Sequence, residues 1–459
     1  MLEILNTIAI WIWNPLFIIL VGTGLYLTFR LKGVQFKYLF FSLKQAFGRH
    51  KEGGEGDISH FQALMTALAA TIGIGNIVGV ATAIALGGLG SLFWLWVTAL
   101  IGMALKYSEA ALALRYRVRD DKNEMAGGPM YYIAQGLGWK WLAMFFALFG
   151  AAATLFTGNI IQANSIALAV SSSTHISPWI VGIILAALTG TALLKGIQSI
   201  GRITSYLVPF MAAIYIVGCL IIIISNYIQI PGLINLIFSS AFTGQAAVGG
   251  FAGSTIMIAM QMGVTRGVLS NESGLGSAPI AAAAAKSDLP GRQALISMSG
   301  AFLSTVVCTF TALAIGLTGV LGSIGADGQQ LNGALMTMAA FDTVLPFGGI
   351  IVMLATVLFG YSTIIGWAYY GEKCCEYMLG TKSIIFYRII FTGFVLIGVA
   401  IPLNVAWVLA DIANAFMALP NLIAITMLSG VVVAQKNEFF AKIKKDKKKE
   451  INIETEFSR

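Results

Sequence analysis

The stretch "TIGIGN", residues 71–76, interrupts an apolar segment that runs from about residue 59 to residue 85. This segment is long enough to cross the ~30 Å hydrocarbon core of a bilayer as a helix. Gly73 and Gly75 each weaken a helix by about 1 kcal/mol relative to alanine. Because the two glycines lie so close together, they predict a helix that opens halfway across the membrane. Its two halves would present free N–H groups at one end and free C=O groups at the other.

The composition places the rest of the chain in the membrane as well. Of the 459 residues, 58% are hydrophobic and 10% are charged, and the mean hydropathy is +0.84. Apolar runs of ~20 residues recur along the chain, which is the length of a spanning helix and about twice that of a barrel strand. They predict an all-α integral membrane protein with eleven transmembrane helices. The predicted spans are 4–29, 59–85, 91–114, 141–171, 177–194, 203–225, 250–285, 293–320, 348–372, 383–400 and 405–434.

The connections between these spans alternate between basic ones and ones without Lys or Arg. The connections without any basic residue are 172–176, 226–249, 321–347 and 401–404. With Arg388, at the start of the span 383–400, counted among the basic connections, only Lys106 and Arg266 of the 28 Lys and Arg residues lie outside those connections and the C-terminal tail. Since basic connections remain in the cytoplasm, the N-terminus is expected outside and the C-terminus inside. We interpret the basic tail as facing anionic lipid rather than nucleic acid.

The interrupted helix has a counterpart in the second half of the chain. "GIGNIVGVATA" (73–83) is answered by "GLGSAPIAAAA" (274–284). Five predicted spans separate the two strings, an odd number, so the two halves must cross the membrane in opposite directions. After the first span, the pattern therefore predicts a 5+5 inverted repeat with discontinuous first and sixth core helices. Paired interrupted helices of this kind indicate the solute and ion site of a transporter.

The repeat and its flanking segments divide the chain into four parts. They are an extra N-terminal helix with a cytoplasmic amphipathic segment (1–58), a first five-helix repeat (59–225), a second five-helix repeat (226–434) and a basic cytoplasmic tail (435–459). Within the second repeat, the external segment 328–346 has a helical pattern flanked by Gly and Pro and is expected to act as a lid.

Simple helix packing, a channel and an enzyme fit these features less well. Small residues also let membrane helices pack closely, but two GxG motifs at matching positions, each followed by Asn76 or Ser277, favour a site. A channel would need rings of charge or a filter repeat, which the sequence lacks. An enzyme would need a catalytic group, and the histidines lie near membrane edges without a metal-binding motif. The four cysteines are interpreted as packing residues.

Four long strings give the chain a family resemblance. They are "GGLGSLFWLWVTALIG" (87–102), "GGPMYYI" (127–133), "GNIIQANS" (158–165) and "GVLSNESGLGSAPIAAAAA" (267–285). The chain resembles the alanine or glycine:cation symporter family, within the group that shares the LeuT-type fold. The resemblance implies a protein of the cell membrane that imports small neutral amino acids, alanine or glycine, by alternating access. Sodium would be the coupling ion and no further cofactor is implied; a proton-coupled transporter of the same fold is the alternative.

The resemblance, together with the repeat, also implies site residues. The backbone N–H groups of the first interruption would bind the substrate carboxylate, and carbonyl and hydroxyl oxygens would bind sodium. The expected substrate residues there are Thr71, Gly73, Ile74, Gly75 and Asn76, and in the second interruption Gly274, Gly276 and Ser277. The expected sodium ligands are Ala69, Ile72, Ser362, Thr363 and Asn76, where Asn76 would serve either the cation or the substrate.

Polar and aromatic residues outside the interruptions complete the expected site. Gln162, in the middle of the fourth span, is expected to contact the substrate, with a hydrogen bond between helices as the alternative. Phe156 and Trp367 are expected to cap a small side-chain pocket, unless they serve helix packing alone. Such bulk would admit glycine or alanine and exclude larger side chains. The sequence leaves open which of the two amino acids is preferred, and it leaves the oligomeric state open.

Charged residues inside the spans can each be interpreted in more than one way. Glu109 follows Lys106 by one helical turn, and we interpret the two as a local ion pair rather than as a transport site. Glu272 either caps the N–H groups of the inner half-helix or faces an amine or an ion. Arg266 and Asp411 lie at similar depths and are expected to form an outer gate.

Overall fold

The chain is built from helices, as its apolar runs predict. The computed structural model describes residues 2–48, 54–194, 196–243, 256–325 and 328–457. The helices are, in order, α1 (Leu2–Arg30), α2 (Val34–Phe47), α3 (His60–Thr71), α4 (Val78–Gly87), α5 (Gly90–Arg115), α6 (Pro129–Tyr132), α7 (Lys140–Leu155), α8 (Ile161–Thr174), α9 (Pro178–Leu193), α10 (Gly196–Ser225), α11 (Ile230–Thr243), α12 (Ile256–Asn271), α13 (Ala278–Ala283), α14 (Pro290–Thr318), α15 (Gly333–Asp342), α16 (Gly348–Leu379), α17 (Ser383–Gly398), α18 (Leu403–Met427) and α19 (Ser429–Phe457). A short antiparallel hairpin, β1 (Val118–Arg119) and β2 (Met125–Ala126), lies between α5 and α6.

The first predicted interruption is a real break. Helix α3 begins at a capping box, in which the Ser59 side chain accepts the Gln62 N–H, and it ends at Thr71. A short 3₁₀ turn, Ile74–Asn76, precedes α4, and the two helices meet at an angle of 59°. We call residues 72–77 the first break.

The second predicted interruption also separates two helices. Between α12 and α13 the backbone takes left-handed conformations at Glu272, Gly274 and Gly276, with φ values of 52°, 85° and 80°. The two glycines adopt this conformation without steric cost, whereas Glu272 is a non-glycine residue held there by its surroundings. We call residues 272–277 the second break.

Seven helices in the described ranges are long and apolar enough to cross a membrane, and the bent pair α3 and α4 raises that number to eight. Three shorter apolar helical segments accompany them: Pro178–Leu193, Tyr227–Thr243 and Ser383–Gly398. The helical membrane architecture is therefore confirmed in its coarse form.

The structure adds one helix and shifts one predicted end. Residues 230–243 of the connection 226–249, for which the sequence predicted no element, form α11, because Leu233 and Ile237 give this segment a buried apolar face. The last predicted span, 405–434, ends at Met427, and a turn at Leu428 starts α19. Residues 250–255, the expected beginning of the second interrupted helix, lie outside the described residues, as do Arg49, Lys51 and Lys195 of the basic connections.

The two broken helices lie among long neighbours that fix their position. Helix α5 packs against α12 and α14, and α16 packs against α3, α7 and α8. Between α7 and α8 the backbone widens into a π turn, Phe156–Ile160. The absence of a side chain at Gly158 permits close approach of α16, since a Cβ there would collide with Trp367 Cβ.

Candidate functional site

Two hydroxyl groups of α16 converge on one carbonyl of α3 immediately before the first break. Thr363 Oγ1 donates to the carbonyl of Ala69 at 2.9 Å, and Ser362 Oγ lies 3.3 Å from the same oxygen. All three residues are buried. Neutral carbonyl and hydroxyl oxygens can replace part of the water shell of a hard cation. The predicted sodium ligands Ala69, Ser362 and Thr363 are thus brought together.

The other two predicted sodium ligands lie inside the break. The N–H of Asn76 donates to Gly73 O at 3.0 Å, so it does not bond to Ile72 O as it would in a continuous helix. Asn76 itself is anchored to α14, because its Nδ2 donates to Ser304 O and Oγ at 3.0 and 2.8 Å. Its Oδ1 is buried and has no hydrogen-bond partner among the described residues. The amide oxygen is therefore available, while the amide nitrogen is held by the scaffold.

A small cavity borders the first break. Its volume is about 20 Å³, enough for a single water-sized occupant. The residues that line it are Ala70, Thr71, Gly73, Gly75, Thr157, Ile161, Gln162, Leu269, Thr363, Trp367 and Trp407. We call it the central cavity.

Gln162 joins the π turn to the first break. Its Oε1 lies 3.3 Å from the N–H of Ile74, and its Nε2 donates to Thr157 O at 3.0 Å. The amide oxygen thus accepts from one of the N–H groups expected to bind a carboxylate. A carboxylate that reached this N–H would have to displace Gln162 or share the donor with it.

The two predicted aromatic residues have different positions. Trp367 lines the central cavity, and its indole N–H lies 3.3 Å from Ala70 O. Phe156 does not line this cavity; it packs beside the cluster of Ile160, Ile161, Ala406 and Ala410. The π turn directs Phe156 toward α18, so the bulk beside the cavity comes from Trp367 and Trp407.

The predicted substrate residues of the second break lie away from the central cavity. A Cβ on Gly274 would meet Leu20, Leu422 and Leu105, and one on Gly276 would meet Pro129, Phe146 and Asn421. Ser277 Oγ donates to Glu272 Oε2 at 2.8 Å. Among the described residues no backbone N–H of α13 donates to Glu272, so the first of its two alternatives, capping of this half-helix, is not observed. The carboxylate instead accepts from the Ser277 hydroxyl at the start of α13.

Glu109 also belongs to the second break. Its Oε1 accepts from Asn421 Nδ2 at 2.6 Å, and the same nitrogen lies 2.9 Å from Gly274 O. Asn421 Oδ1 in turn accepts from the Tyr132 hydroxyl. Among the described ion pairs, none joins Glu109 to Lys106, so our interpretation of a local ion pair was wrong. The Glu109 side chain turns toward α18 and the second break instead.

A larger vestibule lies on the other side of Trp407. Its volume is about 510 Å³, and residues 329–335, including the start of α15, form one wall. Trp407 lines both spaces, and the Arg266 guanidinium stacks over its ring at 4.3 Å from the ring centroid. Arg266 Nη1 lies 3.6 Å from Asp411 Oδ1, which confirms the predicted pair as a contact. Trp407, with Arg266 stacked on its ring, therefore lies between the vestibule and the central cavity.

On the side expected to face the cytoplasm, hydrogen bonds close the junction between α13 and the segment before α3. Arg117 Nη1 donates to Ala283 O and Ala285 O at 2.9 and 2.7 Å, and Nη2 donates to Glu55 O at 2.8 Å. This one side chain therefore joins the end of α13 to the segment before α3. Backbone bonds from Asp57 and Ile58 to Ala284 O tighten the same junction.

An ion pair beside the hairpin adds to this closure. Lys373 Nζ lies 3.1 Å from Asp120 Oδ2. Burial raises the pKa of Asp120, but the Glu124 N–H and the Lys373 ammonium lower it more, so the net pKa is below its usual value. The carboxylate is therefore ionised and available to the lysine at neutral pH.

Sequence reasoning missed several residues of the site. Thr157 accepts from Gln162 through its carbonyl and from Asn414 Nδ2 through its hydroxyl at 2.8 Å. The sequence offered only a weak signal for it, the Thr-Gly pair inside an otherwise helical run. Asn421 gave a clearer signal, since a buried amide in a membrane helix needs partners.

Comparisons with known proteins identify the family of the chain. Residues 1–453 match the model of a family described as the sodium:alanine symporter family. A sodium/alanine symporter, AgcS, of Methanococcus maripaludis is 51% identical over 444 residues, which cover 95% of this chain and 97% of that protein. A probable sodium/glutamine symporter, GlnT, of Bacillus subtilis is 36% identical, with 93% and 88% of the two chains covered.

A solved structure shares the fold. The crystal structure of MhsT in complex with L-phenylalanine superposes with a TM-score of 0.61 at 14% identity, covering 84% of this chain and 93% of that one. The fold is therefore of the LeuT type, as the resemblance implied. At this level of identity the similarity concerns the fold alone.

Proposed function

Because the chain belongs to the sodium:alanine symporter family, we propose that it imports a small neutral amino acid, alanine or glycine, together with sodium. The protein is a transporter and not an enzyme. The observation that carries the proposal is the meeting of Ser362 and Thr363 with Ala69 O beside a cavity bordered by the glycines of the first break.

The proposed sodium site uses Ala69 O, Ile72 O, Ser362 Oγ and Thr363 Oγ1. None of these groups carries a charge, so the ion can be dehydrated on entry and still leave. The site joins α16 to α3 across the break. Sodium bound there would hold together two helices that must separate when the ion leaves toward the cytoplasm. Asn76 Oδ1 is the further oxygen that could serve an ion or an ammonium group.

The proposed amino-acid site is the central cavity. The N–H groups of Gly73, Ile74 and Gly75 would receive the carboxylate, and Gln162 would release Ile74 and turn its amide to the substrate. Trp367 and Trp407 would limit the side chain to the size of a methyl group. The cavity in this conformation is too small for alanine, so binding must be accompanied by a small outward movement of these walls.

The two closures suggest how access alternates. Arg266, Trp407 and Asp411 would form the outer gate, with α15 as the lid above it. Arg117 and the Asp120–Lys373 pair would form the inner closure. We place the chain in the cell membrane with eleven spans, its N-terminus outside and its C-terminus in the cytoplasm, as the distribution of basic residues predicts.

A proton-coupled transporter of this fold is the alternative, but the residues that line the central cavity include no carboxylate to carry the proton. The experiment that separates the two uses purified protein in liposomes and labelled alanine. An inward sodium gradient at equal pH should drive accumulation, and a proton gradient with potassium in place of sodium should not. Accumulation that ignores sodium would overturn the proposal.

A further inference from the structure

The π turn between α7 and α8 joins the central cavity to the helix that carries the outer gate. Gln162 Oε1 lies 3.3 Å from the Ile74 N–H, and Gln162 Nε2 donates to Thr157 O at 3.0 Å. The hydroxyl of Thr157 accepts in turn from Asn414 Nδ2 of α18 at 2.8 Å. A continuous chain of hydrogen bonds therefore leads from the first break to α18.

The face of α18 that carries Asn414 also carries the outer gate. Trp407, Asp411 and Asn414 follow one another at intervals of four and then three residues, so they share one face of the helix. Trp407 lines both the vestibule and the central cavity, and Asp411 contacts Arg266. A displacement of Asn414 therefore moves the gate residues of the same helix with it.

A proline weakens α18 just beyond this face. Pro420 lies inside the helix, and it has no N–H to donate to the carbonyl of Phe416. Asn421, the next residue, is held at the second break, because its Nδ2 donates to Glu109 Oε1 and lies 2.9 Å from Gly274 O. The outer part of α18 can therefore tilt at the proline while the inner part stays attached to the second break.

Packing alone does not explain an amide at position 414. Asn414 is fully buried, and its Oδ1 has no hydrogen-bond partner among the described residues. A buried polar group costs free energy unless it is paired, so the bond to Thr157 compensates this amide only in part. Asn164, by contrast, donates to the carbonyls of both Gly398 and Ile401 and ties α8 to the end of α17. The stability of the bundle gives no reason for Asn414, whereas its bond to the π turn does.

We propose that Asn414 is a positioning residue that couples occupancy of the central cavity to closure of the outer gate. When a substrate carboxylate displaces Gln162 from the Ile74 N–H, the movement of Gln162 is transmitted through Thr157 and Asn414 to α18. The outer part of α18 then tilts and closes the gate. Without the bond from Asn414, the substrate still reaches the first break, but α18 no longer follows the π turn. This inference rests on the proposed function and names the residue through which substrate binding acts on the gate.

The test measures gate closure in Asn414→Leu, which keeps the bulk of the side chain and removes its amide. Spin labels on cysteines introduced by Asn404→Cys and Gln330→Cys report the width of the vestibule, which both positions line. At saturating sodium, alanine should shorten the distance between the labels in the otherwise unchanged protein and leave it unchanged when Asn414→Leu is added. Labelled alanine should still bind to Asn414→Leu, while the maximal rate of sodium-driven uptake should fall at least about tenfold, the effect of one lost hydrogen bond.

Asn164→Leu is the matched control, because it removes an amide of α8 whose hydrogen bonds go to the end of α17. It should keep the shortening and change the maximal rate less than about twofold. Asn414→Leu combined with Asp411→Asn should be no slower than the slower single variant, since both residues act on one closure. Thr157→Val removes the same bond from the other side and should also abolish the shortening, so it decides the question if Asn414→Leu does not fold.

Equal shortening of the label distance with and without Asn414→Leu would overturn the inference, and so would loss of the shortening in Asn164→Leu. Loss of alanine binding in Asn414→Leu would assign the residue to the binding site itself and would also contradict it, as would a double variant with Asp411→Asn in which the two losses of rate multiply. Each of these results leaves sodium-driven uptake by the wild-type protein in place and defeats this inference alone. Wild-type uptake without any sodium dependence would defeat the proposed function instead.

Discussion

The first and second breaks have the same place in their halves of the chain and different chemistry. At the first break the polar groups are neutral, and three of them, Ala69 O, Ser362 Oγ and Thr363 Oγ1, meet without any charge. At the second break Glu272 and Glu109 are buried, and hydrogen bonds from Ser277 and Asn421 hold their carboxyl groups. The two halves share the interrupted backbone and differ in the side chains around it.

The difference indicates a division of work between the breaks. A site made of neutral oxygens binds a cation weakly enough to release it in every cycle. A network of buried charges has no such freedom, because removing one member leaves its partner uncompensated. We therefore expect the first break to exchange its ligands and the second break to stay assembled. Substitutions at the first break should accordingly change transport most, and those at the second break should change it least.

The largest effect is expected from removing both hydroxyls of the first break, in Ser362→Ala with Thr363→Val. Each hydroxyl bound to a cation contributes about 1.5–3 kcal/mol, so losing both should raise the sodium concentration for half-maximal uptake by at least about 100-fold. Thr356→Val is the matched control on the same helix, since its buried hydroxyl donates to Val352 O within that helix. If the two variants showed equal sodium dependence, the proposed sodium site at the first break would be contradicted.

A smaller effect is expected from Gln162→Leu. The side chain keeps its bulk but loses the amide that reaches Ile74 N–H and the central cavity. The KM for alanine should rise about tenfold, the equivalent of one hydrogen bond of about 1.4 kcal/mol, with the sodium requirement retained. Gln35→Leu, which removes a buried amide bonded to Thr28 and Leu100 O, should leave this KM unchanged. An unchanged KM in Gln162→Leu would show that the residue only links helices.

Substitutions at the outer gate should change uptake less, and Arg266 and Asp411 should behave as one unit. Arg266→Gln and Asp411→Asn each break a long ion pair, and each should slow uptake about three- to tenfold, because an ion pair at the edge of a cavity contributes little beyond about 1 kcal/mol. The double variant should be no slower than the slower single variant, since the two residues act on one contact. The measurement is the initial uptake rate at saturating sodium. If neutralising either residue left the uptake rate unchanged, the proposed outer gate would be contradicted.

The smallest effect on sodium dependence is expected at the second break, from Ser277→Ala. This variant removes the hydroxyl that donates to Glu272, so it should lower the free energy of unfolding by about 1.5–3 kcal/mol. The half-maximal sodium concentration should change less than about twofold. A large rise in that concentration would mean that the second break takes part in sodium binding after all.

Features that depend on the backbone and on pairs of unusual residues could be predicted from the sequence. Gly73 and Gly75 located the first break, Gly274 and Gly276 located the second, and the isolated charges of Arg266 and Asp411 indicated their contact. The orientation of side chains was harder to predict from the sequence. Phe156 was expected to cap the side-chain pocket, with helix packing as the alternative, and it packs beside Ile160 and Ala406 at a π turn that no residue pattern predicted.

The charged network illustrates the same limit. The spacing of Lys106 and Glu109 fits an ion pair on one helix, and only tertiary packing shows that Asn421 and the second break compete for Glu109. Asn421 lies more than three hundred residues from Glu109 along the chain. Local sequence carries no information about such partners. Helix α11, within the connection 226–249, was not predicted for a related reason, since it is stabilised by its contact with α5 rather than by strong helix signals.

The central claim is that sodium and the amino acid bind together at the first break. It is tested most directly by the dissociation constant of alanine, measured by calorimetry at several sodium concentrations, for the wild-type protein and Thr363→Val. We predict that sodium tightens alanine binding to the wild-type protein at least about tenfold and leaves binding to Thr363→Val almost unchanged. An equal sodium effect on both proteins would contradict the claim.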